Sequence, residues 1–268
     1  MEVQGGKDRK CTVMLCEMLG TALFVYAIIL TDRAATIPIS LFASILIFGG
    51  ITGGHFNPAV TLAVYISEED RAGTLSFMLL IWLGQFLGGA LSLGMAFLSL
   101  YETVPPPTTV PDELIPRLCP IAYPEIYNGQ DCDNWDNEMG YSFDYQVLAN
   151  ETICTFIFAS VILMVKLKED RIKLTHDGVS GAFAVALALM CITQTGIKLG
   201  ACYNPIVAVA LPVFAKIFLE EETDHLFHYV PFYIIGSLIG ACLAGLFHLK
   251  HREILLEESE DEVVKEQL

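Results

Sequence analysis

The chain has 268 residues, of which 54% are hydrophobic and 17% charged, with a mean hydropathy of +0.54; a soluble domain is closer to ~45–50% apolar, so a cytosolic globule is excluded. A formal charge of −16 rules out a basic nucleic-acid binder and disfavours attachment to anionic lipid through a basic patch. Eight scattered cysteines suit neither a disulfide mini-protein nor a zinc module.

Residues 1–10 carry Lys7, Arg9 and Lys10. The apolar run that follows, 11–30, has full span length and no small-residue cleavage site, so it is expected to stay as a helix. Further spans are expected at 37–53, 74–100, 147–167, 178–198 and 228–248, because each approaches the roughly 20 apolar residues a bilayer crossing needs. Two shorter apolar pieces, 57–67 and 204–218, fall between spans two and three and between spans five and six. At ~1.5 Å per residue the first covers about half of a ~30 Å hydrocarbon layer, so both are expected to be re-entrant half-helices. Backbone entering such a piece is tolerated only inside protein or against a watery cavity.

The connection between spans four and five holds Lys166, Lys168, Arg171 and Lys173, whereas the loop 101–146 has nine acidic residues and a single base, Arg117. Positive-inside counting places the first in the cytoplasm, the second outside and both termini inside. The chain also repeats itself. Glu17-x-x-x-Thr21-x-x-Phe24 recurs as Glu151-x-x-x-Thr155-x-x-Phe158, Phe56-Asn57-Pro58-Ala59-Val60 as Tyr203-Asn204-Pro205-Ile206-Val207, and Gly84-x-x-x-Gly88 as Gly236-x-x-x-Gly240. With three spans in each half, 11–100 and 147–248 are expected to be inverted repeats flanking an extracellular loop 101–146, with an acidic cytoplasmic tail 249–268. The expected fold is an all-α membrane protein of six transmembrane helices and two half-helices.

Asn is a good N-cap and Pro belongs at the first helical position. One Asn-Pro reads as a turn. Two at matching places in inverted halves would point positive helix ends at one another near the midplane, with Asn57 and Asn204 offering amide donors to a narrow path and the dipoles opposing cations.

These residues, with His55-Phe56-Asn57-Pro58-Ala59-Val60-Thr61, Gly200-x-x-x-Asn204-Pro205 and the two span-start glutamates, resemble the major intrinsic proteins, the aquaporin and glycerol-facilitator family, over about 11–248. The resemblance implies a tetramer of separate pores, with Asn57, Pro58, Ala59, Asn204, Pro205 and Ile206 at the pore centre. It also implies that Glu17 and Glu151 brace the non-helical stretches before the asparagines. His55 is placed to tie down the first loop through a backbone partner.

The family's second motif usually continues to an arginine at the outer constriction; here that position is Val207. By offset from the asparagines, the other filter positions fall at Ile192 and at or near Ile37. An aliphatic ring replaces a fixed cation and its donors, so strict water selectivity is not expected and a tight ring would gate by dewetting. Tyr233 follows the water-type pattern, whereas Ile234 is nearer the glycerol type and Ala208 lacks the glycerol-type aspartate. Barriers to protons and ammonium are expected to be weaker than in relatives with the arginine, unless Lys198 returns a charge to the mouth.

Cys119 and Cys132 both lie in the outer loop and are candidates for a disulfide, with a free pair as the alternative. Cys202, two residues before Asn204, is either a mercurial target at the pore or a packed thiol. Beyond Arg252 the acidic run reads as a solvated, disordered end, with Ser259 before Glu260-Asp261-Glu262 as a phosphorylation candidate. No phosphate loop, nucleophile set, redox motif or metal-ligand spacing points to an enzyme or a cofactor. The expected activity is passive passage of water or small neutral solutes (glycerol, urea, ammonia, peroxide), with the bilayer and further copies of the chain as partners and the plasma membrane as location. The alternative is an occluded pore of the same fold with a structural or adhesive role.

Overall fold

The computed structural model describes residues 7–31, 34–100, 144–167, 177–196, 199–200, 202–218 and 227–266. Its principal helices are α1 (Lys7–Ile29), α2 (Thr36–Thr52), α3 (Pro58–Ser67), α4 (Arg71–Leu100), α5 (Asp144–Val165), α6 (Gly178–Gly196), α7 (Pro205–Phe218) and α8 (Val230–Glu266). Among the described residues no strand occurs. Helices α1, α4, α5, α6 and α8 are long and apolar enough to cross a bilayer. The sixth, α2, has 17 residues, about 25 Å of helix, which is at the short end of the spanning range. The two half-helices are α3, with 10 residues, and α7, with 14.

Local chemistry sets the ends. Helix α2 stops at Gly53, whose left-handed φ of 87° lets its N–H close on Gly49 O at 2.8 Å. Asp70 Oδ1 accepts from Gly73 N at 2.9 Å at the start of α4, and Asp177 Oδ1 accepts from Ser180 N at 2.7 Å at the start of α6. The half-helices open on Asn57 and Asn204, each followed by a proline that costs no internal donor at the first position.

The repeated motifs meet as one helix crossing made twice. A Cβ on Gly88 would strike Met18 O and Thr21 Cβ, and one on Gly84 would strike Met14 O, so α4 lies directly on α1. In the second half a Cβ on Gly240 would strike Thr152 O and Thr155 Cβ, and one on Gly236 would strike Glu151 Cβ, so α8 lies on α5 in the same way. These glycines are thus consumed inside the chain by close backbone approach and give no support to contacts between copies. The core runs between the crossings around both half-helices, with Val25, Phe56, Val60, Ile192, Phe214 and Tyr233 among its buried members. Outward faces carry exposed Ile39, Ile47, Leu83, Phe86, Leu98 and Phe183, an apolar coat suited to lipid.

The tail differs from expectation. Helix α8 runs unbroken from Val230 to Glu266. No glycine or proline follows Gly245 to stop it, Lys250 Nζ donates to Glu253 Oε2 one turn on at 2.8 Å, and Arg252 Nη2 donates to Glu69 Oε1 at 3.0 Å across to the α3–α4 connection. The continuous helix to Glu266 replaces the expected disordered end.

Candidate functional site

The stretches that lead into the half-helices are held in a strained form. Phe56 and Tyr203 have φ of 46° and 55°, a left-handed region costly for bulky side chains. A buried carboxylate grips each. Glu17 Oε1 accepts from His55 N at 3.0 Å and Oε2 from Phe56 N at 2.9 Å; Glu151 Oε1 accepts from Cys202 N at 3.0 Å and Oε2 from Tyr203 N at 2.7 Å. Both glutamates are fully buried, so these donors do the work that water would do outside. The grips are unequal. Gln85 Nε2 also donates to Glu17 Oε2 at 2.8 Å and to Thr61 Oγ1 at 2.9 Å, whereas Ser237, its counterpart in the repeat, donates to Ile234 O at 3.0 Å.

The two asparagines meet across the halves. Each uses Oδ1 as a cap, accepting from Ala59 N at 2.9 Å and from Ile206 N at 3.0 Å. Asn57 Nδ2 donates to Tyr203 O at 2.8 Å, and Asn204 Nδ2 donates to Phe56 O at 3.0 Å. One N–H of each amide is therefore committed to the non-helical stretch of the other half, and the amide chemistry leaves one more on each. Trp82 Nε1 donates to Pro58 O at 3.1 Å, pinning the start of α3 to α4. Pro58, Ala59, Pro205 and Ile206 are buried around this seam. The carbonyls of Gly53, Gly54 and His55 accept no hydrogen bond among the described residues.

His55 Nδ1 lies 3.2 Å from Thr61 Oγ1, so its partner is a side-chain hydroxyl, not the expected backbone group. Thr61 in turn donates to Asn57 O at 3.0 Å. Ile192 and Val207 are buried, 1% and 3% exposed, in one apolar core, and half-buried Ile37 packs at its edge. Tyr203 Oη donates to Ile192 O and Tyr233 Oη to Leu199 O, both at 2.9 Å. Cys202 is buried and its thiol donates to Asn204 O at 3.0 Å, the packed alternative of the two. Cys119, Cys132 and Lys198 lie outside the described residues; Ser259 is on α8, with its side chain outside them.

Residues 7–248 match the family model of the major intrinsic proteins. The chain belongs to the major intrinsic protein family. It is 26% identical over 242 residues to "Glycerol uptake facilitator protein-like 6" of Lactiplantibacillus plantarum, covering 86% of this chain and 94% of that one. It is 23% identical over 239 residues to human "Aquaporin-9", covering 84% and 75%. The X-ray structure of the aquaglyceroporin from Plasmodium falciparum shares the fold, with a TM-score of 0.60 at 17% identity over 90% of this chain and 94% of that chain. This major intrinsic protein is accordingly an integral, multi-pass channel protein and not an enzyme.

Residues that the sequence reading passed over complete the site. Gln85 had a signal, as the isolated amide inside an otherwise apolar span. Tyr203 and Trp82 had none, since an aromatic in an apolar stretch reads as packing.

Proposed function

We propose that this chain forms a passive pore for small neutral solutes, entered between the two half-helices and carrying glycerol, urea, ammonia or peroxide as well as water. The reciprocal Asn57–Tyr203 and Asn204–Phe56 hydrogen bonds carry the reading. They hold two helix N-termini against one another, where the remaining amide N–H groups would orient a solute oxygen and the dipoles would repel cations. Free carbonyls of Gly53, Gly54 and His55 would accept from the same solute. Ile37, Ile192 and Val207 would form an aliphatic filter, Glu17, Glu151 and His55 would support the pore backbone, and the chain would act as a homotetramer in the plasma membrane with both termini cytoplasmic. Stopped-flow swelling of proteoliposomes tests this with water, glycerol, urea and peroxide gradients in turn. Flux above empty vesicles for at least one solute is expected.

The near-complete burial of Ile192 and Val207, with Tyr203 Oη bonded to Ile192 O, favours a second reading: a pore closed at its filter, with a structural or adhesive role. Vesicle swelling equal to the empty control for every solute selects it.

A further inference from the structure

A cavity of ≈ 560 Å³ opens where α2 and α5 end and α6 begins. Its walls are apolar, from side chains such as Ile45 and Val165, and its floor is made by Gly53 and Gly54; the charged side chains that line it are Lys166 and Asp177. Lys166 Nζ stands 3.3 Å from the point that a Cβ on Gly53 would occupy, and His55 Nε2 stands 3.5 Å from the same point. The ammonium therefore hangs over the first residue of the non-helical stretch that leads to Asn57. Lys166 Nζ has no hydrogen bond or ion pair among the described residues.

Neither neighbouring acid forms an ion pair with that ammonium among the described residues. Asp177 is turned to Ser180, whose hydroxyl and amide hold its carboxyl below the ordinary range. Glu17 lies behind His55, its oxygens occupied by His55 N, Phe56 N and Gln85 Nε2. We propose that Lys166 is a specificity-determining residue: its ammonium is the pore's cation barrier, set at the α5–α6 mouth in place of the guanidinium that Val207 does not supply. This rests on the channel reading above.

At an effective dielectric of about 20, two unit charges about 6 Å apart repel by enough for about a hundredfold exclusion. Glu17 and the ionised Asp177 offset part of this, so a loss of at least about tenfold in selectivity is expected when the charge goes. The test compares full-length wild type with Lys166→Gln, Lys166→Met and Lys166→Arg in proteoliposomes. Urea swelling reads the neutral path; an entrapped pH dye under a clamped potential reads proton leak, and labelled methylammonium reads cation entry. Lys166→Gln should raise both leaks at least about tenfold with urea flux within about twofold, and Lys166→Arg should keep the wild-type leak. Lys166→Met keeps the aliphatic stem and gives the same reading if the glutamine variant does not fold. Unchanged leaks in a variant that still passes urea overturn the barrier and leave the channel standing. A wild type that passes no neutral solute sinks the channel reading and the barrier with it.

Discussion

Glu17 and Glu151 occupy matching places in the two halves, yet their surroundings differ by one side chain. Gln85 gives Glu17 a third donor and also bonds Thr61, which holds His55. Hydrogen bonds to a charged group contribute about 1.5–3 kcal/mol. Gln85→Met is thus expected to lower unfolding stability by about that much, whereas Ser237→Ala should cost under about 1 kcal/mol. Thermal unfolding of detergent-solubilised protein, followed by tryptophan fluorescence, separates the two; equal midpoints would mean that Gln85 adds nothing to the brace. The glutamates were legible in the sequence because a carboxylate within an apolar run demands donors. Their donors were only half legible, since nothing in the spacing of Gln85 from Glu17 says that two distant helices bring them together.

The repeated glycines give the element scale its clearest case. Gly88 and Gly240 press on carbonyl oxygens of α1 and α5, while a Cβ on Gly94 of α4 would meet nothing. Gly88→Leu should therefore push α4 off α1 and cost at least about 1–3 kcal/mol, and Gly94→Ala should change stability by no more than about 0.5 kcal/mol. Size-exclusion recovery and midpoint temperature of the two variants check this. The spans and half-helices themselves were readable from apolar run length, and the Asn-Pro starts from capping chemistry. The destination of the glycines was not, because a small-residue stripe fits a partner in the same chain as well as one in another copy. The helical tail was missed for a related reason: a high acidic fraction reads as solvated, and the tie from Arg252 to Glu69 is invisible before the fold is known.

At the scale of the whole molecule, the proposed aliphatic ring of Ile37, Ile192 and Val207 would choose among neutral solutes without a fixed charge of its own. Val207→Arg is expected to cut urea and glycerol permeability several-fold while water passage persists; an unaltered solute range would move the filter elsewhere. The inverted-repeat plan was open to reading from the order of three repeated motifs, since all recur in register, while the family followed from the resemblance of those motifs to the major intrinsic proteins. The reach of Tyr203 to Ile192 and the lysine above Gly53 were not, as both depend on how α5 and α6 turn towards the re-entrant loops.

The lopsided pair of braces also sets an order of failure. On warming, the loop gripped by Glu151 has one latch fewer and should let go first, so that the amide protons of Cys202 and Tyr203 trade with deuterium ahead of those of His55 and Phe56. A molecule built from two copies of one plan would then come apart one copy at a time.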